Sequence, residues 1–153
     1  MTSRKEITGE TTDEAAKRMS ELRLFLSGVV PFWKTMGFEL KELAPGSAVF
    51  EGVVADGLTQ NGILHGGVMA SIADSACAAA AISQLFPNFY ATTVHLQVNY
   101  LRSIKQGGFR AKGRCIKAGR SILFCEAKVE NEAGDLLCTA TSQLLPVALT
   151  TRQ

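Results

Sequence analysis

The stretch between Leu58 and Phe86 constrains the fold more than any other part of the chain. From Val68 onward it is long, apolar and rich in small residues, which predicts one helix that is apolar nearly all round and therefore buried. Asp74 interrupts the run and alanine adds little hydrophobic weight, so we do not expect it to cross a membrane. Such a helix needs cover on several sides, and an antiparallel sheet wrapped around it is the economical arrangement.

The segments before and after this helix supply the strands. Two strand-like stretches, 38–43 and 48–55, flank the turn sequence Ala44-Pro45-Gly46 and predict a hairpin. Four more strand-like segments with short, glycine-bearing joints follow at 92–101, 108–117, 121–130 and 136–146. An amphipathic helix over 12–31 precedes them all and ends at a proline. The predicted fold class is α+β, an antiparallel sheet around one long central helix.

Length and charge limit the class of protein. A chain of 153 residues matches one domain, for which we expect a flexible tail at 1–11 and a single domain at 12–149. The sixteen Lys and Arg side chains are dispersed and nearly balanced by fourteen Asp and Glu, so we expect no nucleic-acid partner. The first 20 residues carry many charges and no apolar stretch that a signal peptide would need. We therefore expect a cytoplasmic protein without a membrane partner.

The cysteines and histidines predict no metal site and no disulfide. Cys77, Cys115, Cys125 and Cys138 contain no C-x-x-C pair, and each lies in or beside an apolar run, which is typical of buried reduced thiols. The two histidines lie far apart in sequence, and no Asp/Glu/His cluster accompanies either.

Two glycines stand where the buried helix must begin, in the run Asn61-Gly62-Ile63-Leu64-His65-Gly66-Gly67. Without side chains, Gly66 and Gly67 would expose first-turn N–H groups at the positive end of the helix dipole. Such donors can hold a carbonyl oxygen that gains negative charge. The alternative, that the glycines only allow a turn or close packing, stays open on this evidence.

Asp74 is a carboxylate in a helix that otherwise avoids charge. Burying an unpaired carboxylate costs on the order of several kcal/mol, so a structural role explains it poorly unless it sits at an exposed helix edge. A carboxylate in an apolar cleft is a candidate general base or nucleophile.

Gly66 and Asp74 are eight residues apart, so one straight helix separates them by about 12 Å and they cannot grip one carbonyl within one chain. Both lie on a stripe of mostly small residues at helical i, i+3/i+4 spacing, with Ala70, Ala73 and Cys77. If two copies cross antiparallel at Ala70 about a two-fold axis, Gly66 of one copy lies opposite Asp74 of the other. A dimer would then hold two sites.

These residues resemble the hotdog-fold acyl-CoA thioesterases of the phenylacetic-acid-degradation, or PaaI-like, type. The similarity lies in His65-Gly66-Gly67-x6-Asp74 and in the strand Thr93-Val94-His95-Leu96-Gln97-Val98-Asn99-Tyr100-Leu101-Arg102, and it spans roughly 38–146. It implies dimers with a continuous sheet, often paired into tetramers, with coenzyme A (CoA) near the dimer interface. It also implies hydrolysis of aromatic or medium-chain acyl-CoA to free acid and CoA, without any cofactor beyond the CoA of the substrate.

The resemblance implies a role for each site residue. The Gly66 N–H would polarise the thioester carbonyl, Asp74 of the partner would activate water or attack directly, and Thr93 would help to place the water. Relatives usually carry Asn or Gln six residues before the histidine, where this chain has Thr59, so Gln60 or Asn61 would replace that amide. His65 and Gly67 would contact the substrate beside Gly66.

For the CoA phosphates the resemblance points to Arg102 and to the loop Lys117-Ala118-Gly119-Arg120-Ser121. The fork of N–H donors on an arginine suits phosphate. From this loop we expect contacts by Lys117, Gly119, Arg120 and Ser121.

Two other functions are compatible with such a domain. A non-catalytic module that senses acyl-CoA usually needs a DNA-binding segment, and 12–31 is short and insufficiently basic for one. Hydration of an enoyl thioester is marked in related folds by a histidine five residues after the aspartate, and this chain has Ala79 there. The acyl group stays open, and Phe25, Phe32, Trp33 and Phe86 are apolar candidates for its pocket.

Overall fold

One six-stranded antiparallel sheet and one long helix organise residues 9–149, the part of the chain that the computed structural model describes. The strand order is β1-β2-β6-β7-β8-β5, and helix α3 packs against all six strands. The helices are α1 (Thr12–Val29), α2 (Pro31–Met36) and α3 (Gly66–Ser83), and the strands are β1 (Glu39–Ala44), β2 (Ser47–Val53), β3 (Thr59–Gln60), β4 (Ile63–Leu64), β5 (Phe89–Tyr100), β6 (Gly108–Ala118), β7 (Leu123–Asn131) and β8 (Leu136–Ala148). The predicted α+β fold, a sheet around one central helix, is confirmed.

Helix α3 is buried on every side but one. Twelve of its 18 residues are buried, and the others share one face at i, i+3/i+4 spacing. We call this the open face of α3; its members are Gly66, Gly67, Ala70, Ser71, Asp74 and Ala78. Ala73 and Cys77, which the sequence analysis assigned to this stripe, are fully buried, because their side of the helix faces the sheet. Ser71 and Ala78 take their places.

Helix α3 also has the length and composition of a membrane span, and 67% of that window is buried inside the domain. It is therefore the core helix, as the sequence analysis predicted.

Helix α3 lies unusually close to strand β6 at Gly113. A Cβ at Gly113 would lie 2.9 Å from Ala76 Cβ and closer still to the Ala76 carbonyl group. Only a glycine allows this approach, which sets the depth of α3 in the sheet.

Two short elements differ from the sequence-based expectation. The first helix ends before Pro31 as predicted, but Pro31 then begins a second helix at its favourable first position. Asn61 and Gly62 form the two-residue turn of the β3–β4 hairpin, which the sequence analysis did not predict, with φ of 52° and 73°. Positive φ at both positions is typical of a type I′ turn, for which Asn-Gly is a preferred sequence.

The start of α1 is held by its own contacts. Thr11 forms a capping box with Glu14. The partly buried Arg18 pairs with Glu10 at 2.8 Å and donates to the Ser83 carbonyl at the end of α3. Of the predicted flexible tail 1–11, residues 1–8 lie outside the described residues, and Glu10 and Thr11 contact α1.

The two edge strands of the sheet differ in whether another part of the described chain contacts their outer side. Edge strand β1 is covered by Arg23 of α1, which donates to the carbonyls of Leu40 and Lys41. Edge strand β5 is twelve residues long and has no strand on its outer side within residues 9–149. Its Val94 and Tyr100 are about half exposed. A long, uncovered edge of this kind is a template for pairing with another strand.

The cysteines are thiols, and three of them, Cys77, Cys125 and Cys138, are buried as predicted, whereas Cys115 is partly buried. Burial raises the pKa of Cys77 to about 12 and that of Cys138 to about 11. These thiols therefore stay protonated and unreactive at neutral pH.

Candidate active site

Asp74 lies half-buried on the open face of α3. The Thr93 hydroxyl of β5 donates to Asp74 Oδ1 at 2.9 Å. Burial raises the pKa of Asp74, and the Thr93 hydrogen bond offsets part of that rise. Among residues 9–149 no cationic side chain forms an ion pair with it. An unpaired carboxylate with a raised pKa is a better proton acceptor than an ordinary surface aspartate.

At the other end of the open face, His65 caps the first turn of α3. Its Nδ1 accepts the Gly67 N–H at 2.9 Å, and its carbonyl accepts the Val68 N–H at 2.9 Å. The Gly66 N–H has no acceptor within the described part of the chain. Of the two predicted donors, only Gly66 is therefore free to bind a carbonyl oxygen.

Capping explains why His65 and Gly67 occur together. A Cβ at Gly67 would lie 2.9 Å from His65 Nδ1, so a side chain there would displace the ring from its capping position. Since Nδ1 accepts a hydrogen bond, the neutral ring carries its proton on Nε2. Both residues were predicted as substrate contacts, and this stays a prediction; within the described chain the His65 ring and the Gly67 N–H bind each other.

Tyr100, at the end of β5, is a neighbour of Gly66 that sequence reasoning missed. Its hydroxyl donates to the Gly66 carbonyl at 3.0 Å, and its ring would lie 3.2 Å from a Cβ at Gly66. The sequence analysis quoted Tyr100 only as part of a strand motif. No local pattern signals a contact between residues 34 positions apart.

The amides predicted to replace Thr59 lie in the β3–β4 hairpin. Thr59 faces the core side with its strand partner Leu64, and its hydroxyl donates to the Asp56 carbonyl at 2.9 Å. Gln60 pairs with Ile63 and points to the opposite, exposed side. Asn61 is exposed in the turn itself. The contribution of Asn61 visible in this structure is its backbone conformation.

The predicted phosphate contacts lie at opposite ends of the sheet. Arg102 follows β5 at the Gly66 end and lies 4.0 Å from Asp135. The β6–β7 turn lies at the Asp74 end, because Leu123 and Thr93 both pair with Leu144. In that turn Lys117, Arg120 and Ser121 are exposed, and the Gly119 N–H donates to the Ile122 carbonyl at 3.0 Å. One chain thus does not bring Arg102 and the turn together.

The aromatic candidates for the acyl pocket separate into two groups. The Phe25 ring lies 5.7 Å from that of Phe86 and 6.4 Å from that of Tyr90. Burial raises the pKa of Tyr90, and the charge of Asp74 adds to the rise, so Tyr90 lies close enough to the carboxylate to sense its charge. Trp33 instead joins α2 to the core, donating to Ser75 at 3.0 Å and packing on Phe50. Phe32 packs edge-on against Phe38.

A cleft of about 470 Å³ lies elsewhere, beside the outer ends of β2, β6 and β7. Four of its five charged side chains form ion pairs, Arg110 with Glu51 and Lys112 with Glu130 at 2.7 Å. It contains neither Asp74 nor Gly66. Within residues 9–149 no three metal-ligating side chains cluster.

The fold and the open face define the class. A sheet wrapped around one helix, with a free N–H at the helix start and a half-buried carboxylate two turns on, is the arrangement of a hotdog-fold thioesterase. The chain belongs to the thioesterase superfamily, whose family model matches residues 61–138. The prediction of a thioester hydrolase is confirmed at the level of the family.

Known relatives agree with this membership. A 1,4-dihydroxy-2-naphthoyl-CoA hydrolase from Listeria monocytogenes is 30% identical over 106 residues, which cover 69% of this chain and 86% of that protein. A thioesterase family protein from Silicibacter pomeroyi is 27% identical, with a TM-score of 0.78 over 85% of this chain and 98% of that chain. A variant of the phenylacetic acid degradation protein PaaI from Thermus thermophilus is also 27% identical, with a TM-score of 0.69 over 75% of this chain and 97% of that one.

Proposed function

We propose that the protein is a cytoplasmic acyl-CoA thioesterase of the PaaI-like type that hydrolyses aromatic or medium-chain acyl-CoA to the free acid and CoA. It acts as a homodimer, paired into a homotetramer, and needs no cofactor beyond the CoA of its substrate. The observation that carries the proposal is the open face of α3, which holds both the free Gly66 N–H and the half-buried Asp74.

The dimer follows from the two uncovered surfaces of the domain. The open face of α3 is narrow and made mainly of small residues, so the α3 helix of a second copy can approach it closely. Strand β5 borders this face and has a free edge, which can pair with β5 of the second copy. A two-fold axis near Ala70 uses both surfaces and sets Gly66 of one copy opposite the partner's Asp74.

The chemistry uses one group from each copy. The Gly66 N–H binds the thioester carbonyl oxygen and stabilises the negative charge that grows on it. The partner's Asp74 takes a proton from water, whose oxygen attacks the carbonyl carbon. The C–S bond then breaks, and the CoA sulfur leaves with a proton. Direct attack by Asp74, followed by hydrolysis of the mixed anhydride, uses the same geometry.

The same axis unites the proposed CoA contacts. Arg102 lies at the Gly66 end of its chain, whereas the β6–β7 turn lies at the Asp74 end. Antiparallel pairing therefore brings Arg102 of one copy toward Lys117 and Arg120 of the other. This places three cations around one site, which suits the phosphates of CoA.

The cluster of Phe25, Phe86 and Tyr90 favours an aromatic acyl group within the proposed range. Its member Tyr90 senses the charge of Asp74, and its rings lie at distances typical of aromatic packing. The naphthoyl-CoA hydrolase relative acts on an aromatic thioester by its name, which agrees with this preference.

A panel of acyl-CoA thioesters, assayed for release of free thiol, tests the proposal. We expect turnover of aromatic or medium-chain thioesters, with the aromatic ones preferred. Tight binding of acyl-CoA without thiol release from any member would overturn the proposal in favour of a non-catalytic acyl-CoA-binding module.

The phosphate contacts are tested by Arg120→Ala. We expect KM to rise for a CoA thioester and to change little for a short thioester without the nucleotide, because only the former has phosphates to lose. Lys128→Ala, which removes an exposed cation from β7, is the matched control and should leave both KM values unchanged. Equal effects of Arg120→Ala on both substrates would assign Arg120 to the fold or to the acyl site.

A further inference from the structure

Helix α3 begins with two successive glycines, although glycine loosens the first turn of a helix. A donor that stabilises a developing charge must be fixed before the reaction begins, because a mobile donor has to be ordered during it. The chain must therefore hold this backbone by other means.

The peptide unit that joins Gly66 to Gly67 is held at both ends. Its carbonyl accepts the Tyr100 hydroxyl at 3.0 Å, and its N–H donates to His65 Nδ1 at 2.9 Å. Hydrogen bonds at the two ends of one amide polarise it in the same sense and strengthen each other. The peptide before it joins His65 to Gly66, and its Gly66 N–H has no acceptor within residues 9–149. With the Gly66–Gly67 peptide fixed, this N–H is the donor left for a substrate.

The Tyr100 ring adds a steric constraint. It lies so close to Gly66 that a Cβ there would be 3.2 Å from the ring. Yet Tyr100 is 52% exposed, so burial of its ring in the core does not account for its position. The one hydrogen bond of its side chain within the described residues is to the Gly66 carbonyl.

We propose that Tyr100 is a positioning residue for thioester hydrolysis, which clamps the Gly66–Gly67 peptide together with His65 and thereby aims the Gly66 N–H at the thioester carbonyl. This inference rests on the proposed function. It also reassigns His65 from a contact of the substrate to the second arm of the clamp.

Tyr100→Phe tests the clamp, since it removes one hydroxyl and keeps the ring. We expect kcat to fall about 3- to 10-fold, the effect of one lost hydrogen bond in the transition state. KM should stay within about two-fold and the melting temperature should hardly change, because the ring keeps its packing. A fall in kcat/KM that comes from KM alone would overturn positioning in favour of a direct substrate contact.

The His65 arm supplies the matched pair. His65→Asn keeps a side-chain acceptor suited to an N-cap and should retain most of the activity, whereas His65→Ala should lower kcat as Tyr100→Phe does. The double variant Tyr100→Phe/His65→Ala should lose less than the product of the two single effects, since both act through one peptide. Independent effects that multiply would contradict a shared clamp.

Amide hydrogen exchange at Gly67, followed by NMR, reports on the clamp without turnover. We expect Tyr100→Phe to speed this exchange several-fold. If Tyr100→Phe keeps full kcat and unchanged exchange, this inference is overturned. If Asp74→Asn is inactive in the same experiment, the proposed function still stands. A wild-type chain that releases no thiol would overturn the proposed function and the catalytic part of this inference, while the exchange measurement would still decide whether the clamp exists.

Discussion

At the scale of single residues, Asp74 works against the stability of the fold. It is half-buried, its pKa is raised by burial, and one hydroxyl is its only hydrogen-bond donor within the described residues. A neutral residue would suit this position on the helix better. A group that costs stability where it lies is best explained by what it does in the reaction.

Asp74→Asn should lower kcat by about 10²- to 10⁴-fold, because the amide keeps the shape and the Thr93 hydrogen bond but cannot take a proton. The measurement is thiol release from the preferred acyl-CoA, with circular dichroism to confirm the fold. Near-normal turnover in a folded variant would reject the catalytic role of Asp74.

The same variant should be more stable than the wild type at neutral pH. A raised pKa means that the folded chain holds the Asp74 proton more tightly than the unfolded chain does. The contribution of Asp74 to the free energy of unfolding therefore falls as pH rises through its folded pKa. The gain in melting temperature of Asp74→Asn should therefore shrink toward zero as pH falls below about 4, the usual range of an aspartate.

Asp56→Asn is the control for the loss of one carboxylate at an exposed position. An Asp74→Asn protein that is less stable than the wild type at every pH would mean that the carboxylate is part of the structural framework.

Sequence reasoning found Asp74 and Gly66 because both break a local rule, a charge in an apolar helix and glycines at a helix start. Tyr100 and the capping role of His65 escaped it. Their contacts depend on where β5 ends relative to α3 and on the rotamer of one ring, and neither is encoded in residue spacing.

At the scale of elements, the contact of α3 with β6 sets the position of both candidate groups. Gly113 leaves no room for a side chain beneath Ala76, and Ala76 lies two residues after Asp74 on the same helix. Any displacement of α3 from the sheet at this point would carry Asp74 away from Thr93.

Gly113→Ala should destabilise the protein by about 1–3 kcal/mol, the usual cost of an added methyl group that has no space. Gly28→Ala, in α1 with nothing within 4 Å of the added carbon, is the matched control and should be neutral or mildly stabilising. Urea unfolding of both variants measures the difference. Equal stability of the two would show that α3 can move outward at no cost.

The six long strands and the two long helices were predictable within a few residues, since each has a clear period and a clear turn at its ends. Helix α2 and the β3–β4 hairpin were not, because a six-residue helix has fewer than two turns and a two-residue strand is too short to show alternation. The hairpin nevertheless carried a usable signal, since Asn61-Gly62 is a preferred sequence for a two-residue hairpin turn.

At the scale of the whole molecule, the proposed site exists only between two chains. Suppose that inactive Asp74→Asn chains are unfolded and refolded together with inactive Gly66→Val chains, whose added side chain meets the Tyr100 ring. About half of the dimers should be mixed, and each mixed dimer has one site with both groups intact. Activity should return to about a quarter of the wild-type value if sites act independently.

Refolding each variant alone is the control and should restore nothing. Mixed dimers, verified by mass spectrometry of differently tagged chains, that show no recovered activity would reject the two-fold pairing of the α3 helices and the site built on it.

The open face of α3 also restricts which insertions and deletions the chain can tolerate during evolution. Deleting one residue between Gly66 and Asp74 would rotate the carboxylate by about 100° around the helix, away from Thr93 and into the packed interior. Insertions and deletions there should abolish activity, whereas many should be tolerated at the exposed residues 132–134 between β7 and β8. Among homologues, we expect acyl preference to change through substitutions in α1 around Phe25. This part of α1 lies outside the 61–138 segment that matches the family model.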